Sequence, residues 1–314
     1  MSVHAPNKAF NGSANSSLLA PKTSFFALFW VQFLGAFNDN LFKNALVMLI
    51  AFKLTTDNSG LLITLAAGLF ILPFFLFSSL AGQLADRYPK AWLLQKIKLA
   101  EVLIMSLGAW ALWMQHLEGL LIVLFLMGAQ SAFFGPLKYA ILPEILPNQQ
   151  LLQGNGLISG STFIAILLGT ILGGLGVLLE HGLALMAGTV MLVALLGYGA
   201  SVRLLVLSRR GAKLPVQNPS VAVELNIIKS TWTMVALSRS HRQAFWAVLA
   251  ISWFWFMGAV LLSQFPTLVK THLISDDGVV VAFLTLFSVG VAVGSGLMVW
   301  LLKGQVTLKW HAFC

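Results

Sequence analysis

The sequence predicts an all-α, polytopic membrane protein, and three observations carry that prediction. Hydrophobic residues make up 58% of the 314, charged residues only 9%, and mean hydropathy is +0.88, far from the balance of an ordinary soluble domain. A hydrocarbon core about 30 Å thick takes roughly 20 apolar residues per helix, and the chain offers eight such runs: about 25–52, 61–82, 91–114, 119–136, 157–179, 182–207, 243–264 and 279–302. Finally, placing the loops between these runs on alternate sides puts sixteen of the 19 Lys and Arg on one side, among them Arg87, Lys90, Lys96, Lys98, Lys138 and Arg203. Lys53 and Lys270 fall on the other side, and Lys43 lies inside a span. The positive-inside rule then makes the N-terminus cytoplasmic.

In chain order, residues 1–24 read as a polar cytoplasmic tail. The first run lacks the short apolar core and small-residue cleavage site of a signal peptide. That run holds "QFLGAFNDNLFKN", with Asn38, Asp39, Asn40 and Lys43 amid apolar residues. Ionisable groups in a span are expensive and by default face a bundle interior or a watery cavity. Asp39 and Lys43 stand four apart, acid first, so they share a helix face and are able to pair. The pair reads as a substrate site or gate, or as a structural ion pair that pins the helix to its neighbours.

Between the second and third runs lies "GQLADRYPK", with Gly82, Asp86, Arg87 and Lys90. A glycine here permits close helix approach, and an acid beside two bases is able to close one side of a bundle by a charge network that breaks in another conformation. An ordinary charged turn is the alternative. The glycines of "GTILGG", Gly169, Gly173 and Gly174, point to tight helix packing. Residues 208–242 read as a linker, "SRRGAKLPVQNPS", followed by an amphipathic cytoplasmic helix with Leu225, Ile228, Trp232 and Val235 at helical spacing; a simple loop is the other reading. Six runs precede this stretch and two follow it, over 243–314. The ends of the second and eighth runs share small residues and a basic turn, a weak internal echo of the parallel repeat used by transporters.

Other classes find little support. The net charge of +9 and pI near 9.9 follow from topology, and no aromatic and basic platform for nucleic acid is present. The histidines show no metal-ligand spacing, no Walker-type loop argues for ATP coupling, and no cofactor is expected. Cys314 is the single cysteine, so no intramolecular disulfide forms. His272 and Asp277 have the spacing of an acyltransferase pair, but no phosphate-binding element follows. The chain therefore does not read as an enzyme.

"GQLADRYPK" resembles the cytoplasmic signature of the major facilitator superfamily. With "QFLGAFNDN", "FFGPLKYAILPE" and "NGLISGSTFIAILLGTILGG", the chain resembles its lysophospholipid transporter family, well over residues 25–205 and loosely beyond. The resemblance implies a complete N-terminal six-helix half, 25–207, plus about two helices of a second half. It implies a flippase that brings lysophosphatidylethanolamine-like lipids across a bacterial inner membrane for reacylation, with an acyltransferase and acyl-carrier-protein ligase as partner or fused domain; a carrier of another small solute in the same superfamily is the alternative. The family's acid falls on Asp39 and its lysine on Lys138, suiting ammonium and phosphate respectively; Asn40, Lys43 and Gln264 join them as candidate substrate contacts, and Gly82, Asp86, Arg87 and Lys90 as the gate. The chain departs from standalone members at Ser159, where they carry an acid, and at Gln264, where they carry a base. Because the plan has six helices per half, the sequence also predicts a chain cut short as a transporter.

Overall fold

The computed structural model describes residues 23–53, 59–211, 223–268, 273 and 277–302, and every element among them is helical. The helices are α1 (Thr23–Met48, continued by a π turn Leu49–Lys53), α2 (Ser59–Arg87), α3 (Lys90–Met114), α4 (Leu117–Ala140), a single turn α5 (Leu142–Ile145), α6 (Leu151–Gly176), α7 (Gly182–Gly211), α8 (Ile227–Ser240), α9 (Arg242–Leu268) and α10 (Asp277–Leu302). The eight long ones correspond to the eight apolar runs. Among the described residues, five helices are long and apolar enough to cross a membrane by length and composition: α2, α3, α4, α7 and α6 with the turn before it. α1 falls below that measure because it carries Gln32, Asn38, Asp39, Asn40, Lys43 and Asn44.

Helix ends explain where the expected boundaries shift. α2 runs on through Gly82, Asp86 and Arg87, so the charged loop shrinks to Tyr88 and Pro89, and Lys90 already opens α3. Proline lacks an amide donor and fits the entrance of a helix. α3 stops at Gln115, which takes a left-handed conformation (φ 52°) while its amide and that of His116 return to Leu112 and Ala111. His116 then caps α4 by accepting from the Gly119 amide at 3.0 Å. This tight turn makes α3 and α4 antiparallel neighbours.

α1 is the axis of the bundle, packed on α6 and α7, while α2 pairs with α4, α3 with α7 and α10 with α6. The α1/α6 contact is backbone against backbone. A Cβ at Gly169 would lie 2.4 Å from the Phe37 carbonyl, and one at Gly173 2.2 Å from that of Leu41. Gly174 instead leaves ordinary contact with Met48. Gly128 does the same between α4 and α2, against the Phe70 carbonyl. With no hydrophobic drive between helices in lipid, small residues that allow such approach supply the packing.

Two apolar cores form at different heights. One gathers Phe25, Leu28, Leu94, Leu137 and Leu204 at the end carrying Thr23; the other gathers Leu41, Phe42, Met105, Leu124 and Val190 towards the opposite end. Between these cores α1, α3 and α4 carry polar residues: 38–40, 98 and 101, and 130–131.

α8 lies across the end of α2. Its Asn226 cap accepts from the Lys229 amide at 3.0 Å, and its buried Ser230 hydrogen-bonds Ser79 and Gln83. Leu225, Ile228, Trp232 and Val235 all stay exposed, so the amphipathic helix attaches through its polar side and turns its apolar side away from the bundle. α7 extends to Gly211, into the stretch expected to be linker; residues 212–222 lie outside those described, as do the tail 1–22, Lys270, His272 and the segment from Lys303 to Cys314.

Candidate functional site

The polar layer at mid-height is the candidate site. Lys98 of α3 is 1% exposed and its ammonium lies 2.5 Å from Glu101, one turn on. It fits because α1 and α7 offer no side chain there: a Cβ at Gly35 would stand 2.8 Å from Lys98 Nζ, and one at Gly197 3.4 Å. The Phe134 ring covers it at 5.6 Å. Glu101 also accepts from Gln130 Nε2 at 3.0 Å and from Asn38 Nδ2 at 3.4 Å. A buried carboxylate needs such partners to offset its desolvation. Asn38 Oδ1 is buried with no hydrogen-bond partner among the described residues.

From this buried pair the layer continues to a half-buried edge. Ser131 donates to Asp39 Oδ2 at 2.5 Å and lies 3.2 Å from Gln130 Oε1, so Lys98, Glu101, Gln130, Ser131 and Asp39 form one connected chain across α3, α4 and α1. One turn along α1, Lys43 donates to Asn40 Oδ1 at 3.0 Å and sits 5.5 Å over the Phe70 ring of α2. Asp39 and Lys43 share a face as expected. They do not form the contact ion pair read as available to them: among the described residues no salt bridge joins them. The reason is competition, since Ser131 takes the carboxylate and Asn40 the ammonium. Asn40 is also tied to the Ala36 carbonyl, and its own carbonyl to Asn44, which reaches Thr170 on α6.

Lys98 is the clearest correction to the sequence reading, which put it among the sixteen basic residues outside the membrane. α3 begins at Lys90 and carries Lys98 two turns inward, leaving fifteen on that side. Glu101 went unremarked although it stands three residues from Lys98 in an apolar run; the rule applied to Asp39 and Lys43, that an ionisable group in a span needs a partner, finds both.

The other expected residues are placed apart from this layer. Lys138 is in the last turn of α4, half-buried, with its ammonium 5.0 Å over the Tyr139 ring. Ser131 and Lys138 are seven residues apart, roughly 10 Å along one helix, a gap that a lysine side chain partly spans. Gln264 lies on α9 with its side chain outside the described set. Of the gate residues, Gly82 packs under α8, where a Cβ would stand 3.2 Å from Met234 Cε. Lys90 pairs with Glu144 of α5 at 2.5 Å. Arg87 lies over the Tyr88 ring, and Asp86 is exposed with no ion pair among the described residues.

A multi-helix bundle with a polar, ion-pair-bearing layer between apolar ends is the architecture of a membrane carrier. The Major Facilitator Superfamily model matches residues 28–310, and the chain belongs to that superfamily. It is therefore a multi-pass membrane protein of a transporter family, not an enzyme. It is similar to the lysophospholipid transporter LplT of Serratia proteamaculans (strain 568), 28% identical over 280 residues covering 87% of this chain and 65% of that protein. LplT of Enterobacter sp. (strain 638) is 29% identical over 269 residues, 84% of this chain and 63% of the relative. LplT of Photorhabdus laumondii is 32% identical over 171 residues, 54% and 39%. The chain thus spans less than two thirds of the length of the curated relatives it matches.

Proposed function

We propose that the protein takes part in moving lysophospholipids, of the lysophosphatidylethanolamine kind, across a bacterial inner membrane for reacylation. The observation that carries this reading is the half-buried Asp39 and Lys43 on one face of α1, each held by a neutral partner rather than by each other. A carboxylate with one hydroxyl donor keeps capacity for a substrate ammonium, and an ammonium over an aromatic ring keeps donors for a phosphate. The name borne by the similar proteins supports the same substrate class.

In this reading Asp39 takes the ammonium of the head group, Lys43 and Lys138 meet the phosphate from two sides, and Asn40 sets the position of Lys43. Gln264, on α9, contributes from a second group of helices, in a plan of two halves joined by a cytoplasmic segment. Gly82, Asp86, Arg87 and Lys90 form the cytoplasmic gate, with the N-terminus on the same side. The Lys90–Glu144 contact is one bridge of that gate, tying the start of α3 to the turn after α4. An acyltransferase and acyl-carrier-protein ligase is the partner that would consume the transported lipid.

The test is transfer of labelled lysophosphatidylethanolamine to the inner leaflet in cells lacking their own uptake. Asp39→Ala is expected to lower transfer at least tenfold at unchanged protein level. Equal transfer by Asp39→Ala and the parent would remove Asp39 from the substrate site. Transport of a water-soluble solute with no lipid transfer would replace the substrate class.

A further inference from the structure

We propose that the groove between α1 and α7, on the outer flank of the bundle, is a binding site for one resident membrane glycerophospholipid, with its phosphate on Arg203 and an acyl chain along the two helices. The groove encloses ≈ 740 Å³, the size of a ligand pocket. Its walls are the half-exposed side chains of Phe26 and Trp30 on α1 and of Leu195 and Leu196 on α7. Its floor is kept low by Ala27, Gly199 and Ala200, and a Cβ added at Gly199 would meet nothing within 4 Å. The space is therefore open and apolar along a length parallel to the helices, which suits an acyl chain and not a polar solute.

Its charge chooses the head group. Arg203 and Thr23 are the polar residues of the lining, and both lie at the end of the bundle where α1 begins and α7 approaches its end. Arg203 is exposed, and among the described residues it makes no ion pair and no side-chain hydrogen bond. A guanidinium at the edge of an apolar slot, with no carboxylate to satisfy it, matches a phosphate in planar, two-pronged geometry. Basic pockets between membrane helices bind lipid head groups in this way. The site is separate from the Asp39 layer, and the inference does not depend on what the protein transports.

The experiment reconstitutes the full chain in vesicles of phosphatidylcholine doped with phosphatidylglycerol that carries a diazirine on one acyl chain, followed by photolysis and peptide mapping. Cross-links are expected to concentrate on 26–34 and 195–200. Arg203→Gln is expected to lower them about fivefold, while Arg209→Gln, one turn and a half further out, leaves them unchanged. Leu196→Trp and Gly199→Leu, which fill the slot without touching the charge, are expected to lower them as well, so a single unstable variant does not decide the matter. Cross-links spread evenly over all lipid-facing helices, or unchanged by both Arg203→Gln and the slot-filling pair, would overturn the proposal. So would equal labelling by a phosphate-free diacylglycerol carrying the same diazirine.

Discussion

Lys98 shows how much one residue depends on its surroundings. Its ammonium is paired with Glu101 under the Phe134 ring, in a space vacated by Gly35 and Gly197, so removing the acid leaves an uncompensated charge in a dry interior. Glu101→Leu is expected to destabilise the protein by about 3–5 kcal/mol, read as thermal unfolding of the purified chain in detergent. Pairing it with Lys98→Met removes the stranded charge and recovers part of the loss. Recovery stays incomplete because Asn38 and Gln130 both donate to Glu101, and each amide left unpaired costs about 1–3 kcal/mol. Full recovery by the double variant would show that the two amides find other partners. The pair was legible as two ionisable residues at helical spacing; its burial was not, because it depends on Gly35 of α1 and Gly197 of α7 leaving room for Lys98 and on Gln130 of α4 reaching Glu101.

Two helix contacts carry predictions at the level of elements. Gly173→Ala puts a methyl onto the Leu41 carbonyl and must push α1 away from α6, an overpacking expected to cost about 1–3 kcal/mol. Gly188→Ala, where a Cβ meets nothing within 4 Å, is the control and is expected to be neutral in the same unfolding assay. At the other contact, α8 is held to α2 through Ser230, Ser79 and Gln83, and the Glu224 amide donates to Gln83 Oε1 at 2.7 Å. Ser230→Leu is expected to release α8, seen as faster amide exchange over 227–240 with the rest of the bundle unchanged.

The same helix has a pH dependence. The hydrogen bond from Lys229 first, then that from the Asn226 amide, holds the exposed Glu224 carboxyl below its ordinary range, and the same contact raises Lys229. A depressed carboxyl contributes above its unfolded value and loses that contribution as pH falls through its folded one. Lys229 loses its share only as pH rises past the ordinary lysine range. Exchange protection at the start of α8, taken relative to the intrinsic rate at each pH, is therefore expected to be highest near neutrality and to fall on acidification below the glutamate range. Because both groups are exposed, added salt is expected to flatten the dependence.

At the scale of the whole molecule, the bias of Lys and Arg towards one set of helix ends carries the proposed orientation. With Lys98 inside the membrane, the proposed orientation has fifteen basic residues on one side against Lys53 and Lys270 on the other. In a Cys314→Ser background, Arg209→Cys is expected to react with a membrane-impermeant maleimide only when the cytoplasmic face is opened. His116→Cys, at the far end of α3 and α4, is expected to react in intact cells. The reverse pattern would invert the proposed topology.

The sequence by itself determined the class of the molecule, because hydropathy and the spread of Lys and Arg answer to the bilayer, a solvent whose thickness and charge preferences act on each run separately. It also marked Asp39 and Lys43, since a charge in an apolar run stands out without knowledge of neighbours. Only the tertiary structure decided that these two turn to Ser131 and Asn40 instead of each other, that Lys98 and Glu101 are buried between them and α7, and that α8 faces its apolar side outward. Those outcomes depend on which side chain of another helix arrives within about 3 Å, and helix spacing along one chain carries no information about that.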